Sequence, residues 1–193
     1  MKSHRIKDCN NQLVVVQSLV QEAMSGMIDN GRMQVLINKK TGLVDKYCVN
    51  GNDMLNPESA KITVYSDNED PWGMTVEGFN ERIGEFTLLS KEKANAFNGY
   101  PDETLENVRV IENGAVRLKI QAIFSYSDSF AVVTYTLPKN GDYIDLKIKM
   151  LSNDSSRFYK LSFASKPRIF IASLTGIGLT SQKRALIRSS ASV

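Results

Sequence analysis

The sequence predicts an all-β protein built as an antiparallel β-sandwich, and three observations carry that expectation. Apolar and polar residues alternate with period two in several stretches, turn-forming residues separate those stretches at hairpin intervals, and no convincing helix alternates with them. The alternation is clearest in Met33-Gln34-Val35-Leu36-Ile37, in Val116-Arg117-Leu118-Lys119-Ile120-Gln121-Ala122 and in Ile144-Asp145-Leu146-Lys147-Ile148-Lys149-Met150. Successive side chains of a strand point to opposite faces, so each stretch presents one apolar and one wet face.

In chain order, the first apolar run is Leu13 to Val20. It reads as a strand, because Gln17 and Ser18 interrupt it and it is far too short to span a bilayer. Residues 11–23 are the one candidate helix. His4, Arg5 and Lys7 ahead of the run and Ala23-Met24-Ser25 behind it make a poor signal peptide, a minor alternative. Asn30-Gly31 leads into the strand 33–37, and Lys40-Thr41-Gly42 and Asn50-Gly51-Asn52 mark the next turns. Runs rich in β-branched and aromatic residues predict strands over 61–65, 85–90, 108–112, 124–127, 131–137 and 159–163. Asn113-Gly114, Pro138-Lys139-Asn140-Gly141-Asp142 and Asn153-Asp154 separate the later ones. Two longer irregular segments, 67–82 and 91–105, are where a rigid sheet would carry binding groups. The organisation expected is an N-terminal extension over 1–27, a sandwich domain over 28–172 and a tail over 173–193 whose polar end from Ser189 is disordered.

With 193 residues the chain fits one domain and can bury a core without disulfides. Cys9 and Cys48, its only cysteines, lack a C-x-x-C spacing and read as free thiols in a reducing compartment, which points to the cytoplasm. No membrane partner is expected. The net charge of +3 is unevenly placed: no acidic residue follows Asp154, whereas Arg157, Lys160, Lys166, Arg168, Lys183, Arg184 and Arg188 do. Such an end suits nucleic acid or an acidic partner, but a surface facing another part of a longer protein is the simpler reading.

The inventory of reactive residues excludes most chemistry. The sole histidine is His4, in a polar N-terminal stretch. Ser-His-Asp and Cys-His catalysis need a positioned imidazole, and a zinc site gathers three or four ligands at short spacing, so neither a catalytic residue nor a metal ligand is expected here. The twelve glycines form no phosphate-binding loop. Phe158, Tyr159, Phe163 and Phe170 among the cations could stack on bases, yet the alternation from Phe158 to Phe163 suits a buried strand face better, and no nucleic acid is expected.

Carboxylates remain. Asp67-Asn68-Glu69-Asp70-Pro71-Trp72-Gly73-Met74 sets three of them beside the only tryptophan. An indole face can pack on a sugar while neighbouring oxygens accept from its hydroxyls, which makes Asp70 and Trp72 the candidate substrate-binding residues. The same loop reads equally well as a solvated turn with Trp72 anchored in the core. Its spacing misses the EF-hand pattern, so calcium is a minor alternative.

Four landmarks fall in a telling order: Ile28-Asp29-Asn30-Gly31-Arg32-Met33-Gln34-Val35, then Asn38-Lys39-Lys40-Thr41-Gly42-Leu43-Val44, then Asp70-Pro71-Trp72-Gly73-Met74, and last Glu112-Asn113-Gly114-Ala115-Val116-Arg117-Leu118. Together they resemble the C-terminal β-domain of family 38 α-mannosidases, over roughly residues 28–164. Tyr143 to Met150 and Arg157 to Phe163 resemble the later strands, with Phe163-Ala164 in place of a Phe-Pro pair. The resemblance implies a galactose-mutarotase-like supersandwich, incomplete here, that follows a zinc-binding catalytic domain supplying the aspartate nucleophile of a retaining mechanism. None of that domain's motifs matches a position in this chain, and residues 174–193 follow the family pattern poorly, so the chain looks cut at both ends.

The expectation is therefore an accessory domain of an α-mannosidase-like glycoside hydrolase, inactive alone, with no cofactor of its own and with zinc in the catalytic domain. Its partners would be that domain and a mannoside. A free-standing carbohydrate-binding module is the rival. A mutarotase-like enzyme is a third reading, weakened because such enzymes pair histidine with a carboxylate and only His4 is present.

Overall fold

Period-two patterning and Asn-Gly turns become antiparallel strands in the computed structural model, which describes residues 4–7, 13–16, 27–67, 81–100, 105–166, 171–176 and 182–188. The first strands are β1 (His4–Lys7) and β2 (Leu13–Val16), followed by β3 (Met27–Asp29), β4 (Met33–Ile37), β5 (Val44–Val49) and β6 (Asn52–Asp53). Then come β7 (Lys61–Ser66), β8 (Arg82–Glu85), β9 (Thr87–Leu88) and a single described helix, α1 (Lys91–Phe97). The longest strands follow, β10 (Val108–Asn113), β11 (Arg117–Tyr126), β12 (Ser129–Pro138) and β13 (Tyr143–Leu151). The last are β14 (Arg157–Ser162), β15 (Ile171–Gly176) and β16 (Gln182–Arg188).

Every described ladder is antiparallel, and the chain is an all-β, sandwich-like protein. β1 and β2 form a hairpin; β3-β4-β5-β6 form a four-stranded sheet; β14-β7-β8 form a three-stranded one. The largest sheet runs β10-β11-β12-β13-β16-β15, with β9 paired to the far end of β11. At its β10 edge the register with β11 slips between Val110 and Glu112, so Ile111 is the extra residue of a β-bulge, and Val110 and Ile111 are both exposed.

The three larger sheets share one core. Leu118, Ile120, Ala122 and Phe124 of β11, Val133, Tyr135 and Leu137 of β12, and Ile144 and Leu146 of β13 are buried with Met33, Val35, Ile37, Val44 and Tyr47 of the four-stranded sheet and with Ile62 and Val64 of β7. Each large apolar side chain so buried contributes about 1.5–3 kcal/mol. Two tyrosines tie the layers reciprocally. Tyr135, fully buried on the large sheet, donates its hydroxyl to the Gly42 carbonyl in the β4–β5 turn at 2.8 Å. Tyr47, fully buried on β5, donates to the Asp142 carbonyl in the β12–β13 turn at 2.7 Å. Gly42 sits at φ +72° with the Phe124 ring against it, a place without room for a side chain. Asn50 (φ 49°) and Gly51 (φ 83°) make the two-residue β5–β6 turn with both residues left-handed, as Asn-Gly favours.

Several elements refine the sequence expectations, and the expected strand 85–90 is divided between the end of β8, the short β9 and the cap of α1. The segment 91–105 opens as α1: Ser90 caps it by accepting from Lys93 N at 3.4 Å, and Ala94 and Phe97 pack with Leu89, Ile123, Phe130 and Val132 on the outer face of the large sheet. Residues 13–16 form strand β2, as the apolar run from Leu13 predicts, rather than part of the candidate helix over 11–23. The expected strands 116–122 and 124–127 are one strand, β11, because Ile123 beneath α1 and Phe124 in the core are buried on opposite faces and break the alternation between them. The boundary at 172/173 falls inside β15, and β16 pairs with β13 from Tyr143 opposite Arg188 to Lys149 opposite Gln182. Residues 189–193, expected to be disordered, lie outside the described residues.

Cys48 is buried on β5 and disulfide-bonded, which corrects the free-thiol expectation. Sequence spacing carries no record of which sulfur atoms approach within bonding distance. Among the described residues no helix is long and apolar enough to cross a membrane.

Candidate functional site

Asp70 and Trp72 lie in residues 68–80, outside the described residues, but both stems of their loop are described. β7 ends at Ser66, whose N–H donates to the Glu81 carbonyl at 3.0 Å, and the Asp67 N–H donates to the Ser156 carbonyl at 3.1 Å. The described stems of the segment therefore lie at one end of the β14-β7-β8 sheet, Ser66 bonded to the residue before β8 and Asp67 to the residue before β14.

At that end the three strands bring unlike residues onto one face. Phe158 of β14 lies opposite Tyr65 of β7, and Tyr65 lies opposite Arg82 of β8; one step along, Lys160, Thr63 and Glu85 form the next row. Directly opposed residues share a face, so two aromatic rings and an arginine adjoin a lysine, a threonine and a glutamate. The Lys160 ammonium stands 4.2 Å from the Tyr65 ring centroid and 5.8 Å from that of Phe158. Arg82 Nη2 donates to Glu85 Oε2 at 2.6 Å, and the Thr63 hydroxyl donates to the Lys160 carbonyl at 3.2 Å. Tyr65, Phe158 and Lys160 are half-buried.

The opposite face of the same sheet belongs to the core. Ile62, Val64, Tyr159 and Leu161 pack there, and the Phe86 ring meets Tyr159 edge-on at 5.4 Å. The alternation from Phe158 to Phe163 was expected to mark a buried face; it places Tyr159 and Leu161 inward and sends Phe158 and Lys160 to the other side. Tyr65, Arg82 and Glu85 carry no signal of a site in the sequence, and Lys160 stands out there only as one of the basic residues after Asp154. The available signal was the parity of β14, readable only once its partner β7 is known.

A second cluster looks reactive and is not. Ser129, fully buried at the start of β12, donates to Asp154 Oδ2, as a serine does to a base. Its Oγ, however, accepts from the Asn153 N–H at 3.0 Å and the Asp154 N–H at 3.2 Å, which occupies the lone pairs a nucleophile would need. The Ser129 hydroxyl, ahead of smaller contributions from Ser127 and Arg157, holds the Asp154 carboxyl below the usual carboxylate range. Ser152 and Tyr159 share a hydrogen bond at 2.9 Å beside it, so the group clamps the β11–β12 turn to the β13–β14 connection.

His4 lies in β1, apart from both clusters in the chain. Among the described residues no three of His, Cys, Asp and Glu come close enough to hold a metal ion. The described groups on the Tyr65 face of the β14-β7-β8 sheet are two aromatic rings, an ammonium and an ion pair. In comparisons with known proteins, no family model matches the chain and no curated protein matches its sequence.

Proposed function

We propose that this chain is an accessory β-sandwich domain of an α-mannosidase-like glycoside hydrolase, of the galactose-mutarotase-like kind, that supports the catalytic domain and lines its sugar cleft. The observation that carries the reading is that both stems of the segment holding Asp70 and Trp72 are hydrogen-bonded at the end of the β14-β7-β8 sheet that carries Tyr65 and Phe158, Ser66 to Glu81 and Asp67 to Ser156. The resemblance of the four ordered motifs supports it. Zinc and both catalytic carboxylates belong, in this reading, to the catalytic domain, and this chain contributes no step of bond cleavage. The Cys48 disulfide removes the free-thiol basis for a cytoplasmic location.

The test is twofold. Sequencing the coding DNA around this reading frame is expected to reveal an in-frame zinc-binding catalytic domain. Purified chain of this length is expected to leave an aryl α-mannoside intact; turnover with stoichiometric bound metal would overturn the assignment.

A free-standing carbohydrate-binding module is the second reading, favoured by a recognition face that needs no catalytic partner. Titration with mannosides while following Trp72 fluorescence separates the two, since a silent titration removes the module.

A further inference from the structure

We infer that Asn153 is an N-glycosylation site, and that the chain folds in a compartment where glycan transfer and disulfide formation both occur. Asn153-Asp154-Ser155 is the only Asn-x-Ser/Thr tripeptide in the sequence, and its middle residue is not the proline that would block it. Such a tripeptide is used only in a chain that enters the secretory route, and its product is tolerated only at the surface. Two observations meet these conditions. Cys48 is buried on β5 and disulfide-bonded, and disulfides persist in oxidising compartments such as the endoplasmic reticulum lumen, where oligosaccharide is also transferred to asparagine. The tripeptide itself lies in the connection between β13 and β14, with Ser152, Asn153 and Ser155 all exposed.

In the transfer, Asn153 Nδ2 attacks C1 of an oligosaccharide carried on a polyprenyl diphosphate. The Nδ2–C1 bond forms, the bond from C1 to the diphosphate oxygen breaks, the diphosphate leaves with the bonding pair, and one amide proton passes to a base of the transferase. The acceptor is used before this connection folds, so the folded structure has only to accommodate the product. Nδ2 donates to the Asp128 carbonyl at 2.9 Å, and a glycosylated amide keeps one N–H with which to donate. The Asn153 backbone N–H donates to Ser129 Oγ at 3.0 Å, and the Asp154 carboxylate accepts from the same hydroxyl. These anchors of the connection use no atom that the glycan takes.

The experiment is peptide mapping by mass spectrometry of the protein isolated from its own cells. The expected result is that the peptide bearing Asn153 carries N-acetylhexosamine and hexose, and that peptide N-glycosidase removes them and leaves aspartate at that position. Ser155→Ala breaks the tripeptide without touching Asn153 or its hydrogen bonds, and is expected to abolish the modification when expressed in the same cells. Ser155→Thr keeps the hydroxyl and is expected to retain it. Alkylation in denaturant without reductant is expected to leave Cys48 unlabelled. An unmodified Asn153, a glycan that survives Ser155→Ala, or a Cys48 that alkylates would each overturn the inference. The glycoside hydrolase reading is untouched by any of these outcomes, because the inference does not rest on it.

Discussion

Removing one oxygen atom from each of Tyr135 and Tyr47 tests whether the two sheet layers are held by reciprocal hydrogen bonds or by packing alone. Tyr135→Phe keeps the buried ring and deprives the Gly42 carbonyl of its 2.8 Å donor; Tyr47→Phe does the same to the Asp142 carbonyl at 2.7 Å. Burial pushes the Tyr135 phenol up, which favours the neutral, donating form. A net hydrogen bond is worth about 1 kcal/mol and an orphaned buried acceptor costs more, while the added hydrophobicity of phenylalanine offsets part, so each variant is expected to lose about 1–2 kcal/mol. The two bonds share no atom and lie in different turns, so the double variant is expected to lose about 2–4 kcal/mol. For a chain of this size that is a fall in Tm of roughly 5–15 °C. Urea unfolding followed by far-UV circular dichroism reads it as a drop in midpoint with unchanged slope. Single variants that unfold within about 0.1 M urea of the parent, for a slope of order 2 kcal/mol/M, would refute the reasoning.

Three further outcomes follow from other contacts. Gly42→Ala is expected to cost about 2–4 kcal/mol in the same assay, because its backbone is left-handed and a new Cβ would lie 2.7 Å from Phe124 Cζ and 2.9 Å from Leu88 Cδ1. Ser129→Ala, which strips an acceptor from two backbone N–H groups and a donor from Asp154, is expected to cost about 1–3 kcal/mol with the sheet otherwise intact by circular dichroism. Hydrogen bonds first from Arg117 and then from Lys119 hold the Glu112 carboxyl down at about 2, so any stability it contributes is fully present above the ordinary glutamate range and is lost as pH falls toward 2. Carboxyl NMR titration is expected to find that midpoint, and the double substitution Arg117→Met with Lys119→Met is expected to return it to the ordinary value.

The strands were legible where one face is wet and the other dry. β4, β7, β10, β12, β13 and β14 fall where alternation and β-branched residues place them, within a residue or two at their ends. Legibility failed where a strand is buried on both sides or bulged. Ala122-Ile123-Phe124 loses its period because a helix covers one face and the core the other. β5 reads Val-Asp-Lys-Tyr-Cys-Val, with Tyr47, Cys48 and Val49 buried in succession after the register slip between Leu36 and Ile37. α1, at seven residues, is too short to show a helical period, although Ser90 before Lys91-Glu92-Lys93-Ala94 is a good cap for one. Of the candidate site, the segment 67–74 stands out in the sequence by its composition. The Tyr65 and Phe158 pair was invisible, because cross-strand neighbours are ninety-odd positions apart in the chain and only the ladder of β7 with β14 brings them level.

The bulge at Ile111 bears on how the molecule behaves in crowded solution. β10 borders the largest sheet, and a regular border strand with apolar side chains would offer an unbroken template of N–H and C=O groups to the border of a neighbouring molecule. One surplus residue throws that template out of step midway along β10, just where Val110 and Ile111 make the margin greasy. Deleting Ile111 would restore the rhythm, and the change would first be seen as light scattering that rises with protein concentration while the fold of each single molecule stays the same.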